Sequence, residues 1–295
     1  MTFSPLRKAL IPVAGLGTRL FPATHLVKKE FFPVVGRDGI ARPIILEIIL
    51  EALLAGVEEV ILVAQPADLE ILHRFFTDQV PSETLSKLPD SLIHEAERLI
   101  EVGERIRFAI QESQEGFGHA VWSARALIGA EPFLLMLGDH LYRSELAESC
   151  AAQLARMYRQ LGGNVVGLAR TSEDALASRG AVGGNWQSQD GLLAISQFVE
   201  KPSLDYAREH LRVPSLPEEQ YLVLFGQYIL QPVIFDYLAH QIRENNRERG
   251  EFQFTTALEA LRNDYGCLGY LIEGATYDIG QPNLYVDTLQ AYRAS

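Results

Sequence analysis

The first apolar run of the chain, Lys8-Ala-Leu-Ile-Pro-Val-Ala14, leads straight into Gly15-Leu-Gly17-Thr18-Arg19. Glycine lets backbone N–H groups approach an anion with no side chain in the way. Arginine adds a planar fork of donors shaped for phosphate oxygens. Lys28-Lys29-Glu30 then brings more positive charge, and a loop that folds back converges two cations on one site. The turn is not a P-loop, because no Gly-Lys-Ser/Thr follows. It is not a dinucleotide fingerprint either, because Leu20 stands where a third glycine is needed. Taken alone, it also reads as simple punctuation beside a surface arginine.

The elements that must position these residues alternate. Ala9–Ala14, Glu59–Ala64, Ile106–Gln111, Phe133–Leu137 and Asn164–Ala169 read as strands. Ile44–Ala55, Pro66–Phe76, Ala120–Leu127 and Glu145–Leu161 read as helices between them. Apolar strands separated by helices predict an α/β fold: three layers around a mixed, mostly parallel sheet. Ligands in such folds bind beyond the C-terminal strand ends. Gly15–Arg19, Gln111–Gly118 and Gly138-Asp139 each follow a strand, so all three are expected on one rim. Thr77–Val102 reads as a surface insertion with a charged helix, and Ser203–Gln220 as a loop. The second half is richer in strands, at Ala181–Trp186, Leu192–Val199, Tyr221–Leu230 and Cys267–Ile272. Helices are expected at Pro232–Glu244, Phe254–Leu261 and Leu284–Tyr292, and there is no internal repeat. One domain is expected, with a nucleotide-binding part over about 7–170 and a sugar-phosphate part over about 171–295.

The chain has 295 residues, 47% of them hydrophobic, enough for a large core. A net charge of -12 argues against nucleic-acid or membrane-surface partners, which select basic patches. Two distant cysteines, Cys150 and Cys267, fit a reducing compartment without disulfides. The N-terminus lacks a signal-peptide pattern and no run reaches the ~20 apolar residues of a membrane span. These features predict a soluble, cytoplasmic protein.

Pro12-Val-Ala-Gly-Leu-Gly-Thr-Arg19, Phe21-Pro-Ala-Thr24 and Lys29-Glu30 together resemble the opening signature of the sugar-1-phosphate nucleotidyltransferases. The resemblance is nearest to the bacterial UTP–glucose-1-phosphate uridylyltransferases. Gln111 with Gly116-Phe-Gly-His-Ala-Val121 resembles the family's base-binding segment, and Val199-Glu-Lys-Pro202 its sugar-phosphate segment. Gly226-Gln-Tyr228 and Asp278-Ile-Gly280 follow in the right order, so the match runs from Lys8 to about Tyr285.

The resemblance implies nucleotidyl transfer from a triphosphate to a sugar 1-phosphate, with UTP and α-glucose 1-phosphate as the expected pair. It places Ala14, Gly15, Gly17 and Thr18 around the triphosphate, with Arg19 on the β- and γ-phosphates and Lys29 on the α-phosphate. Gln111 and Gly116 would meet the base, since an amide offers donor and acceptor together. Gly180, Glu200 and Gly226 would meet the sugar, and Lys201 its phosphate. Asp139 and Asp278, from separate loops, would hold one Mg²⁺. Lys28 reads as a solvated neighbour, and Trp122 and Trp186 as packing residues. His119 is expected to open a helix. The sequence departs from its relatives at Leu137-Gly-Asp-His140, where they usually read Leu-Pro-Asp followed by an aspartate or a small residue. His140 is read as a hydrogen-bonding neighbour of Asp139 in preference to a metal ligand. A homo-oligomer is expected.

Two alternatives stay open: transfer of a thymidylyl or other nucleotidyl group to another sugar phosphate, and a nucleotide-sugar-binding regulator. Retention of Arg19, Lys29, Asp139, Lys201 and Asp278 together argues against the regulator. An NAD-linked oxidoreductase is disfavoured, because Ala64-Gln65-Pro66 offers no acidic ribose partner after the second strand.

Overall fold

The apolar runs assemble into one nine-stranded sheet in a computed structural model describing residues 3–188 and 191–293. From one edge the order is Ile106–Ile110, Glu59–Ala64, Lys8–Pro12, Phe133–Met136, Gln220–Leu230, Val165–Ser172, Leu268–Leu271, Leu192–Glu200 and Gly180–Trp186. The first four are parallel, as are Val165–Ser172 and Leu268–Leu271. Gln220–Leu230 and Leu192–Glu200 run against the other strands. The sheet is therefore mixed and mostly parallel, as expected.

Strand alternation produces the three layers. Ala9, Ile11, Val60 and Leu62 join one buried cluster, whereas Leu10, Ile61 and Val63 join another. Successive side chains of a strand point to opposite faces, so a strand apolar throughout needs cover on both. Helices Ile44–Leu54 and Cys150–Leu161 cover the first face. Phe117–Ser123, Ile234–Arg243 and Phe254–Tyr265 cover the second.

Gln220–Leu230 joins two halves of the sheet. Its register shifts between Leu224 and Tyr228, around Gly226 with φ 96°, and such a bulge bends a strand. Its C-terminal half pairs with Phe133–Met136. Its N-terminal half pairs with Val165–Ser172 and, through Leu222 and Val223, with Val182 and Ala181. The last five strands of the order thus close on themselves as a ring.

Several local expectations need correction. Ser203–Gln220 is not all loop: Ser203 caps a helix, Leu204–His210, whose Ala207, with Leu211 just past the helix, fills a small core with Tyr221. The helix expected from Glu145 begins at Cys150, capped by the Ser149 hydroxyl on the Ala152 amide. Ahead of it His140–Ser144 pairs with Gly274–Asp278 as a ribbon, so Asp278 ends a strand and does not lie in a loop. The helix expected over Ala120–Leu127 starts earlier, at Phe117, and breaks at Ala124. His119 is therefore the third helical residue and does not open the helix. Pro66–Asp68 is a 3-10 turn before the helix Leu69–Phe76. Within Thr77–Val102, Asp90–Glu104 is the long helix, and its Val102 packs into the main core, so this stretch is more than an insertion. Among the described residues, no helix is long and apolar enough to cross a membrane.

Candidate active site

The strand ends build the site. Residues from the glycine turn, from Gln111–Phe117 and from Leu137–His140 line one cavity of about 570 Å³. Ala14, Gly15, Gly17, Thr18, Lys29, Gln111, Gly116 and Asp139 all face it. Arg19, Gly180, Glu200, Lys201, Gly226 and Asp278 are outside that lining. A wider groove of about 1580 Å³, with Arg170, Arg179, Trp186 and Tyr270 on its walls, contains none of the predicted residues.

Backbone carbonyls that leave the sheet need donors from side chains. The Val13 carbonyl accepts from Lys28 Nζ at 2.6 Å, and the Ala14 carbonyl from Gln65 and Gln114. Lys28 also forms an ion pair with Asp68. It is a clamp on the glycine turn, not the solvated neighbour expected. Gln114 lines the cavity and was not singled out in the sequence, although it lies in the Gln111–Gly118 segment.

Lys29 lies along the glycine turn. A Cβ on Gly15 would stand 3.8 Å from its Nζ, and one on Gly17 would stand 3.5 Å from its Cδ. Its Nζ sits 2.7 Å from Asp139 Oδ2. Burial works against the Lys29 charge, but the carboxylates of Asp139 and Glu30 outweigh it and raise its pKa. Burial likewise works against the Asp139 charge, but the His140 hydrogen bond and the Lys29 charge prevail and hold the carboxyl well below its usual range. Both groups stay ionised. Glu30 faces the same cavity at 2% exposure, and its Oε2 has no hydrogen-bond partner. Burial pushes its pKa up to about 7 against the pull of Lys28 and Lys29. Glu30 was quoted in the sequence only as part of a motif.

Asp139, His140 and Asp278 each bring a ligand atom within 4.8 Å of the others. His140 Nδ1 is 2.9 Å from Asp139 Oδ1, the contact expected of a hydrogen-bonding neighbour. The Gly280 amide donates to Asp278 Oδ1 at 2.6 Å. A Cβ on Gly280 would come within 2.9 Å of that oxygen and 3.7 Å of Asp139 Oδ2. Glycine therefore keeps the space beside the two carboxylates open. Two acids and an imidazole around such a space fit a divalent cation.

Gln111 is buried, and its Nε2 lies 3.3 Å from the Gly116 carbonyl and 3.1 Å from His119 Nδ1. The sugar-side candidates connect to this end by contact. Gly118 packs on the Phe252 carbonyl, where any Cβ would be 2.7 Å away. Two helical positions after Phe252-Gln253, Thr255 donates to Glu200 Oε2 at 2.8 Å. A Cβ on Gly180 would meet that same oxygen at 3.3 Å and Leu224 at 2.8 Å. Gly226 abuts Leu137, and its carbonyl accepts from Tyr142 Oη at 2.8 Å. These contacts tie Gly180, Glu200 and Gly226 to elements that wall the cavity, while the residues themselves stay outside its lining. Lys201 is 40% exposed, with Nζ 3.5 Å from Glu200 Oε1. Arg19 is exposed on the rim. Trp122 and Trp186 pack against the second buried cluster, as expected.

A nucleotidyl transferase family model matches residues 8–295. The chain is 31% identical over 283 residues to a UTP–glucose-1-phosphate uridylyltransferase of Staphylococcus saprophyticus, covering 96% of this chain and 91% of that protein. In three dimensions it is similar to a UDP-glucose pyrophosphorylase solved with UDP-glucose (TM-score 0.79, 27% identity, 98% of each chain). It is similar also to a UTP-bound UGPase from Acinetobacter baumannii (TM-score 0.80, 25% identity, 98% of this chain and 93% of that one). With the match spanning the glycine turn, the strand-end acids and the ring, the chain belongs to the nucleotidyl transferase family and is a nucleotidyltransferase enzyme.

Proposed function

We propose that the protein transfers a uridylyl group from UTP to α-glucose 1-phosphate, giving UDP-glucose and diphosphate. A phosphate oxygen of the sugar phosphate attacks the α-phosphorus of UTP. The bond from that phosphorus to the bridging oxygen breaks, and diphosphate leaves with the electron pair. The attacking group is already ionised near neutral pH, so no strong general base is needed. Two anions must be held together in line, and charge neutralisation and positioning supply most of the rate.

The roles are those the sequence resemblance implies, supported for Ala14, Gly15, Gly17, Thr18, Lys29, Gln111, Gly116 and Asp139 by their shared cavity. Amides of Gly15 and Gly17, with Thr18 and Arg19, receive the triphosphate beside Ala14. Lys29, fully protonated, meets the α-phosphate. Gln111 and Gly116 receive the uracil. Gly180, Glu200 and Gly226 border the glucose, and Lys201 neutralises its phosphate. Mg²⁺, held by Asp139 and Asp278, supplies electrostatic stabilisation of the phosphate oxygens when bound.

The observation that carries this reading is the Lys29–Asp139 pair, 2.7 Å apart, inside a cavity shared by the glycine turn and Gln111. The UTP–glucose-1-phosphate uridylyltransferase named above and the UDP-glucose-bound structure support the choice of substrates. The test is a matrix of nucleoside triphosphates against sugar 1-phosphates, scored by diphosphate release in Mg²⁺. Fastest release with UTP and glucose 1-phosphate is expected. Faster release with another pair reassigns the substrates, and no release with any pair ends the proposal.

A further inference from the structure

The structure points to His140 as a ligand of the divalent metal, and we propose an Asp139–His140–Asp278 donor set that favours nitrogen-accepting transition ions over Mg²⁺. This rests on the metal-assisted reading above and goes beyond it, because a pair of aspartates alone offers only oxygen. The ribbon supplies the geometry. His140 lies directly opposite Asp278 in the antiparallel register. Directly opposed residues project to the same face of a ribbon. Asp139 comes to that face from the adjoining position, and all three donors fall within 4.8 Å.

Each donor is oriented by something else. One Asp278 oxygen is occupied by the Gly280 amide, which fixes the carboxylate and leaves its second oxygen for the ion. The Asp139 carboxylate touches His140 Nδ1 at 2.9 Å. Adjacent ligands of one ion stand about 3 Å apart, so Nδ1 and Oδ1 already face the space an ion would enter, and the ion takes the place of the proton between them. The imidazole is 18% exposed, so it is reachable yet restrained. Imidazole is a softer donor than a carboxylate oxygen, and it strengthens binding of first-row transition ions far more than of Mg²⁺, a hard cation that selects oxygen.

The test is Mn²⁺ and Mg²⁺ binding by calorimetry to the full-length protein, alone and with UTP, together with electron spin echo spectra of bound Mn²⁺. The spectra are expected to show nitrogen modulation that changes on heavy-nitrogen labelling of histidine. In His140→Asn that modulation should vanish, and Mn²⁺ affinity should fall at least about tenfold while Mg²⁺ affinity changes much less. His140→Asp, with an all-oxygen set, should keep Mg²⁺ binding and lose the nitrogen signal, which controls for folding. Bound Mn²⁺ without nitrogen modulation, or equal loss of both metals in His140→Asn, overturns the assignment. So does the absence of saturable metal binding. The proposed reaction fails by a separate sign, the absence of diphosphate release from any substrate pair.

Discussion

At the scale of single residues, the site pairs opposite charges that the substrates must later share. Lys29 and Asp139 each keep the other ionised against burial. Lys29→Met and Asp139→Asn are expected to lower kcat by roughly a hundredfold or more, the range for losing one preorganised electrostatic group. Diphosphate release checks this, with circular dichroism to confirm folding; rates near wild type would remove either residue from the chemistry. Lys201→Ala is expected to raise KM for the sugar phosphate by about tenfold or more, as for loss of a charge-assisted contact, with KM for UTP little changed. Equal KM values for the sugar phosphate would contradict its role. Glu30 has the opposite electrostatics from Asp139. Its folded pKa, about 7, lies above its ordinary value of 4.5, so the folded state binds its proton more tightly than the unfolded chain. Stability from Glu30 is fully present below about pH 4.5 and is lost as pH rises through 7. Glu30→Gln should remove a decline on the order of 3 kcal/mol across that window. Urea unfolding of both proteins from pH 4.5 to 8 measures it, and parallel curves would refute it. Lys29 and Asp139 were legible in the sequence because their motifs are local. The clamp made by Lys28 was not, since it depends on Asp68 and on a carbonyl freed at a strand end.

At the scale of elements, the short ribbon His140–Ser144 with Gly274–Asp278 brings Asp278 opposite His140, beside Asp139. It escaped the sequence because two five-residue runs, one with only Leu141 and Tyr142 buried and the other half-buried throughout, carry no clear alternation, and neither run was assigned to an element. The helix Leu204–His210 escaped for a related reason: the prolines around it dominate the local signal. Long buried strands such as Glu59–Ala64 were legible, because continuous apolar runs between helices admit few other readings. Within the ribbon, Tyr142 ties the ribbon to the bulged strand and to Leu137. Its hydroxyl donates to the Gly226 carbonyl and accepts from the Leu137 amide at 3.2 Å. That amide also donates to the Gly226 carbonyl, so Tyr142→Phe leaves neither backbone group without a partner. A loss of about 1 kcal/mol is therefore expected, near the net worth of one hydrogen bond. Denaturant midpoints at constant slope measure it, and a loss several times larger would mean that the hydroxyl holds the rim alone.

At the scale of the molecule, the sequence predicted that separate strand ends would converge, and the cavity residues do so because parallel strands share one C-terminal rim. The ring of five strands was not legible. It depends on Gln220–Leu230 changing partners at a bulge, and pairing between distant strands leaves no trace in local periodicity. That bent strand has a thermodynamic consequence. It pairs with Phe133–Met136 on one side of the bulge and with Gly180–Trp186 on the other, so the two parts of the sheet share a single hydrogen-bonded element. Neither part can lose this strand without exposing apolar faces of the other, and the two should unfold together. The two tryptophans report on the two parts separately: Trp122 on the helix Phe117–Ser123, and Trp186 at the end of its strand in the ring. Trp122→Phe and Trp186→Phe each leave one reporter. Once each variant's own effect on stability has been taken from its circular dichroism, fluorescence and circular dichroism midpoints in urea should coincide in both. A fluorescence transition that precedes the loss of secondary structure in only one variant would show that the parts unfold independently, and that the bent strand does not couple them.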